Sequence, residues 1–201
     1  MVILALLLVF QSDNTDDWIK VQPPGVGAEV QMPGTPFFST IEQQPIQDQA
    51  PRIVRTRSIN LPSGKENLAF SYHDEQETPN NRFKIKDHLD GSVTGAIALV
   101  NGEMIRNDDI FLENHKGRDF LYRCELDDAK LQKVFKLKIR SRILLVRNRL
   151  YTMNYIAEAD VYDDKVAERF FKSFQIVRQP PDLPPTPRAG RARELAEAKR
   201  G

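Results

Sequence analysis

Lys136, Lys138, Arg140 and Arg142 recur at every second position of KLKIRSR, the most distinctive charged spacing in the chain. A period of two places all four on one face of a strand. A row of ammonium and guanidinium groups there can engage a protein partner or an anionic surface such as lipid head groups; it can equally be a solvated sheet face balanced by neighbouring acids. Other chemistry finds less support. His73, His88 and His115 are the only histidines; they fall at a strand end, in a helix and in a turn, without the short spacings of a metal site. No G-x-S-x-G elbow accompanies them. Asp108-Asp109 and Asp127-Asp128 are adjacent carboxylates that a strand sends to opposite faces, so they read as solvated turn signals rather than acid/base pairs. Gly64-Lys65 lacks the flanking residues of a nucleotide loop and reads as a turn. The expectation is a chain with no catalytic residue, no metal and no cofactor.

Composition sets the frame. The 201 residues suit one domain with appendages. Hydrophobic residues at 40% and charged residues at 28% are ordinary for a globular protein, which argues against wholesale disorder, a coiled coil or a polytopic membrane protein. Six basic and three acidic residues after Val177 give +3 against a whole-chain charge of +1, so residues 1–177 carry −2. A neutral to slightly acidic body is a poor nucleic-acid surface, because phosphates are held by clustered Lys and Arg. The single Cys124 has no internal disulfide partner, and its alternation with Phe120 and Tyr122 marks it as a buried small hydrophobe.

Residues 1–17 read as an apolar segment and linker. MVILALLLVF is shorter than the roughly 20 residues a bilayer span takes and matches the core of a signal peptide, although no Lys or Arg precedes it and no small-x-small site follows. Export or membrane tethering through this segment is favoured over a buried first strand. At the other end, residues 178–201 are proline-rich and basic; QPPDLPPTP precludes a packed element, and RARELAEAKR has too little apolar surface for a core.

Between these ends, residues 18–177 show the elements that must position any site. VQMPGTP (Val30–Pro36) is a strand running into a turn, since Pro removes a ladder donor and Gly tolerates positive φ. Strands around Ile53–Leu61 and Asn67–His73 flank a turn at Pro62-Ser63-Gly64. Ile85, Leu89, Val93, Ala96, Ile97 and Val100 share a helical face capped at Gly102, with Gly91 and Gly95 implying close approach to the sheet. Four strands follow near Met104–Glu113, Arg118–Leu126, Val134–Val146 and Arg149–Ile156. In the third, Phe135, Leu137, Ile139, Ile143 and Leu145 face a core, the basic row faces water, and Glu125 of the preceding strand can sit opposite a basic residue. Asp160 and Asp163 open a last helix whose Val166, Ala167, Phe170, Phe171 and Phe174 must dock on the sheet.

VQMPGTP, GRDFLYRCEL, RNRLYTMNYIAEA and ERFFKSFQIV, in this order, resemble a family of small, mostly uncharacterised exported bacterial proteins. The resemblance covers residues 18–177 and rests on Met32, Pro33, Gly34 and Pro36, on Gly117, Arg118 and Phe120, on Arg149, Leu150 and Tyr151, and on Phe170, Ser173 and Phe174. That family's fold is similar to the PsbP-like proteins, whose founding members are extrinsic subunits of photosystem II. The resemblance implies an antiparallel sheet covered by helices in an α/β/α sandwich, and no reaction, because none of the matched residues is a catalytic group of the family.

The reading is therefore an α+β fold, an antiparallel β-sheet of about seven strands covered by two helices. The function expected is a non-catalytic, exported or envelope-associated binding or scaffolding domain. One alternative is a small-molecule carrier or enzyme with a cleft between sheet and helix. Another is a cytoplasmic accessory domain that binds a protein through Lys136, Lys138, Arg140 and Arg142. Nucleic acid is not an expected partner, and a membrane is expected only through the N-terminal apolar segment if it is uncleaved.

Overall fold

Seven antiparallel strands and two helices follow from this patterning in a computed structural model that describes residues 17–43, 52–75, 85–128 and 131–178. The apolar segment 1–10 and the proline-rich run after residue 178 lie outside the described residues. In chain order the elements are β1 (Trp18–Val21), β2 (Ala28–Pro33), β3 (Phe37–Gln43), β4 (Arg52–Asn60), β5 (Glu66–Asp74) and α1 (Ile85–Leu99). Then come β6 (Glu103–Leu112), β7 (His115–Asp128), β8 (Lys133–Val146), β9 (Arg149–Glu158), α2 (Asp164–Lys172) and β10 (Gln175–Ile176). The large sheet has the order β3-β4-β5-β9-β8-β7-β6, and a small sheet, β1-β2-β10, joins the two ends of the described chain. The small sheet was not foreseen: β10 is two residues long, too short to show a period.

The large sheet is covered on both faces. Leu89, Val93 and Val100 of the α1 region pack with Phe120, Tyr122, Cys124, Leu137, Ile139, Ile143 and Leu145. Across the sheet, Ala167, Phe170 and Phe171 of α2 and Val30 and Met32 of β2 pack with Leu144, Val146, Tyr151, Met153 and Tyr155. The expectation that one face of β8 meets water is thus corrected. Ile143, Leu144, Leu145 and Val146 are all buried, whichever way they point, because α2 and the small sheet form a second layer. Such a continuous apolar run is what a strand buried on both faces shows.

The turns obey local chemistry. Gly34 adopts φ +79° after Met32-Pro33, so VQMPGTP reverses the chain as expected. Helix α1 ends on Asn101 rather than Gly102: Asn101 takes φ +50°, Gly102 N–H donates to Ile97 O at 2.9 Å, and Asn101 N–H donates to Ala98 O at 3.2 Å. These two bonds form a Schellman close. Gly91 and Gly95 do not mark a close approach, since a Cβ on either would meet nothing within 4 Å; nothing in the structure explains them. Asp163, not Asp160, caps α2, its carboxylate accepting from Lys165 N–H at 2.7 Å, while Asp160 pairs with Lys65 Nζ at 3.2 Å. His115 opens β7 rather than lying in the turn, which is Glu113-Asn114 with φ of 48° and 68°.

Candidate functional site

The alternating basic row lies where β8 passes between β7 and β9, and the structure divides it. Lys136 stands out in solvent, its side chain 75% exposed, with Glu125 Oε1 at 3.8 Å from the directly paired position. The expected cross-strand pairing of Glu125 with a basic residue is therefore present. Lys138 is half-buried, its ammonium 3.9 Å from the Tyr162 ring centroid. Arg140 and Arg142 do not face water. Arg140 is 6% exposed and grips Asp119 through Nε at 2.9 Å and Nη2 at 3.0 Å. Arg142 binds the same carboxylate through Nε at 3.0 Å and Nη2 at 2.6 Å, and donates from Nη1 to Phe171 O at 2.8 Å. The physical reason is α2, which lies over this part of the sheet; both guanidinium groups sit against the Phe171 ring, at 4.7 and 5.2 Å from its centroid.

Asp119 is the residue that the sequence reading missed. It is buried, pairs in register with Arg142, and also accepts from Arg106 Nη2 at 3.1 Å. Its spacing from Arg123 and Glu125 in the same strand was an available signal for the same outward face. Burial pushes its pKa up, but bonds from Arg140 and Arg142 outweigh that and hold the carboxyl below its ordinary value. Arg140 shows the converse balance: burial lowers its pKa, while bonds to Asp119 and Glu168 raise it by more. Glu168 of α2 accepts from Arg140 Nη1 at 2.6 Å, and that bond leads the causes that lower its own pKa. The resulting clasp ties β7, β8 and α2 together by charge-assisted bonds.

The other motif residues prove to be joints between layers. Arg149 binds Asp74 through Nε at 2.6 Å and Nη2 at 3.0 Å, and its Nη1 donates to Gly25 O and Val26 O at 2.8 and 2.9 Å. Tyr151 donates its hydroxyl to Val26 O at 2.6 Å. Ser173 accepts from Gln31 N–H at 2.8 Å and donates to Phe170 O at 2.7 Å, which locks the end of α2 onto β2. Arg118, buried on the opposite face, binds Asp90 of α1 and Asp109 of β6. Gly117 lies so near β8 that a Cβ there would stand 2.3 Å from Ile143 O.

Two further places bear on chemistry. The histidines His73 and His88, separate in sequence, converge on the buried Glu75, whose Oε1 lies 2.7 and 3.2 Å from their Nε2 atoms. This cluster ties the end of β5 to α1. Among the described residues, no group of three or more His, Cys, Asp or Glu side chains is arranged to hold a metal ion. An open groove of about 570 Å³ is lined in part by Glu103, Arg123, Cys124, Glu125 and Lys136. Its charges pair with each other, Arg123 Nη2 lying 2.7 Å from Glu103 Oε2. Cys124 itself is buried, and burial pushes its thiol pKa up. No helix of the described residues is long and apolar enough to cross a membrane.

No family model matches the chain, and no curated protein matches it. Among solved structures, the chain is similar to the cyanobacterial PsbP protein CyanoP from Synechocystis sp. PCC 6803, with a TM-score of 0.53 and 14% identity over 83% of this chain and 98% of that one. A Pseudomonas aeruginosa protein of unknown function, described as a putative regulator, aligns with a TM-score of 0.39 and 7% identity over 71% of this chain and 84% of that one, a likeness too slight to build on. The likeness to CyanoP shows the fold: this is a PsbP-like α+β architecture, an antiparallel sheet with helices packed against it.

Proposed function

We propose that the chain is a non-catalytic, exported or envelope-associated binding or scaffolding domain that engages an anionic partner at the outer end of the basic row. The division of the row carries this reading. Arg140 and Arg142 serve the interior clasp on Asp119, whereas the Lys136 ammonium is exposed and only loosely met by Glu125 at 3.8 Å. An exposed ammonium changes partners at little desolvation cost. Lys138, steadied over Tyr162, stands on the same face two residues along. Export is supported by the apolar run at residues 1–10 and by the resemblance of the ordered motifs to those of exported bacterial proteins.

Charge reversal at both lysines, Lys136→Glu with Lys138→Glu, is expected to abolish retention on phosphatidylglycerol vesicles and capture of envelope proteins from the native cell. Lys136→Glu should change the folded state by no more than about 0.5 kcal/mol, as surface substitutions do, and Lys138→Glu should cost about 1 kcal/mol, because it removes the ammonium from the Tyr162 ring. Unchanged retention and capture would remove this reading. Fractionation of the native cell, with N-terminal sequencing of the recovered chain, tests the compartment.

The groove beside Cys124 favours a second reading, a small-molecule carrier, because its volume of about 570 Å³ falls in the range of ligand sites. That reading expects a co-purifying small molecule in native mass spectra, its binding weakened by Lys136→Glu because Lys136 lines the groove, and no effect of the lysine reversals on vesicle retention or envelope-protein capture.

A further inference from the structure

The charges of α2 are sorted by flank. The helix buries Ala167, Phe170 and Phe171, and at about 3.6 residues per turn the side opposite them carries Lys165, Arg169 and Lys172 at i, i+4 and i+7. These three cations form one outward ridge. The helix acids stand to one side of it: Glu168 accepts from the buried Arg140 at 2.6 Å, and Asp164 lies one turn before Glu168. On the other side, the Arg169 guanidinium lies 4.5 Å from the ring centroid of Trp18 in β1. Lys165 and Arg169 are exposed, and neither pairs with a carboxylate among the described residues. Lys172, its side chain 76% exposed, reaches Glu168 Oε2 at 3.1 Å. Ile19, beside Trp18, is 40% exposed. The flank of α2 toward β1 is thus cationic and aromatic, with no acid of the helix on it.

Trp18 also limits where a tether can hold the domain. Phe10 ends the apolar run and precedes Trp18 by eight residues, a reach of about 29 Å at most. A domain of this size is about 40 Å across, so a bilayer that holds the run meets the Trp18 and α2 side before the far side, that of α1. The linker acids Asp13, Asp16 and Asp17 oppose an anionic surface, and the attraction has to come from the ridge. Each Lys or Arg close to an anionic leaflet favours contact. A tryptophan suits the same depth, its ring apolar and its N–H polar. We propose that, with the apolar segment as tether, Lys165, Arg169, Lys172 and Trp18 rest on an anionic phospholipid surface, the cations meeting head-group phosphates and the indole lying at the interface. This rests on the envelope-associated reading above and gives its anionic partner a chemistry.

Trp18 is the only tryptophan, so its emission reports the contact directly. The full chain is mixed with vesicles of phosphatidylglycerol or of phosphatidylcholine, each brominated high on the acyl chains as a quencher. Emission is expected to fall and shift to the blue on phosphatidylglycerol well beyond the change on phosphatidylcholine. Salt at about 1 M should bring the two lipids level, as the screening length shrinks to about 3 Å. Lys165→Gln with Lys172→Gln leaves the Arg169–Trp18 stack alone and should raise the phosphatidylglycerol concentration for half of the quenching by about thirtyfold; circular dichroism checks the fold. Equal quenching on both lipids, or a double variant that behaves like the unaltered chain, overturns the proposal. Retention on phosphatidylglycerol with Trp18 unquenched also overturns it, while the reading of Lys136 and Lys138 stands. Ridge-dependent quenching with retention indifferent to the reversals at Lys136 and Lys138 supports the ridge and removes that reading. An unquenched Trp18 with capture of an acidic envelope protein lost in the double variant assigns the ridge to a protein and overturns the lipid contact.

Discussion

Replacing Asp119 with alanine is expected to cost about 3–5 kcal/mol of folding stability, read as a lowered denaturant midpoint, because it strands buried cations. Asp119 is 3% exposed and accepts from Arg140, Arg142 and Arg106. Removal leaves Arg140 with Glu168 alone and Arg142 with the Phe171 carbonyl. The interior cannot shed those charges, since arginine stays protonated. Replacing Asp119, Arg140 and Arg142 together by leucine and methionine should cost far less than the single change, because a buried ionic cluster is dear to break and cheap to exchange whole. The clasp also fixes an acid response. The Asp119 pKa is lowered in the folded state by Arg140 and Arg142 despite burial. Its contribution is therefore complete above the unfolded value of about 3.9 and is lost as pH falls through the lower folded value. Denaturant midpoints of the Asp119→Ala chain should accordingly fall less steeply with acid in that window. A loss under about 1 kcal/mol would instead mark the arginine pair as free to hold an external anion.

Much of this was legible in the sequence because it is periodic. The alternation of Phe135, Leu137, Ile139, Ile143 and Leu145 placed them in one core, and the opposite pairing of Glu125 and Lys136 followed from strand parity. The helical spacing of Val166, Phe170 and Phe174 likewise named the docked face of α2. The candidate site was read less well, since what covers a face is a matter of tertiary packing. Parity put Arg140 and Arg142 on the right face, but not under α2. The consecutive Ile143-Leu144-Leu145-Val146 already carried the signal for two buried faces, and the period-two reading passed over it. His73, Glu75 and His88 could not be joined by spacing, since the packing of α1 beside the end of β5 is a tertiary contact. The motif residues illustrate a third case. Ser173, Arg149 and Tyr151 were visible as a pattern, yet their work as joints to β2 and the Gly25-Val26 turn appears only in three dimensions.

Phe170→Ala should destabilise the chain by about 3–5 kcal/mol, the range for a large aromatic removed from a packed core. Phe170 is fully buried and its ring lies 5.4 Å from that of Phe171. Helix α2 has only nine residues, fewer than an isolated helix needs to persist in water. Its cap at Asp163 contributes about 1 kcal/mol, so packing must supply most of what holds it. The same helix carries Glu168 and the Phe171 carbonyl to the arginine clasp, and Ser173 to β2. Losing the Phe170 anchor should therefore loosen the clasp as well as open a cavity. The effects of Phe170→Ala and Asp119→Ala should then fall short of additive, since each undoes part of what the other holds. Hydrogen exchange of α2 amides should quicken in Phe170→Ala beyond the global loss, while Phe170→Leu, which keeps most of the volume, should retain most of the protection. A cost under 1 kcal/mol with α2 exchange unchanged would mean that the helix is held by its polar joints alone, and that the hydrophobic layer opposite α1 contributes little to closing the sandwich.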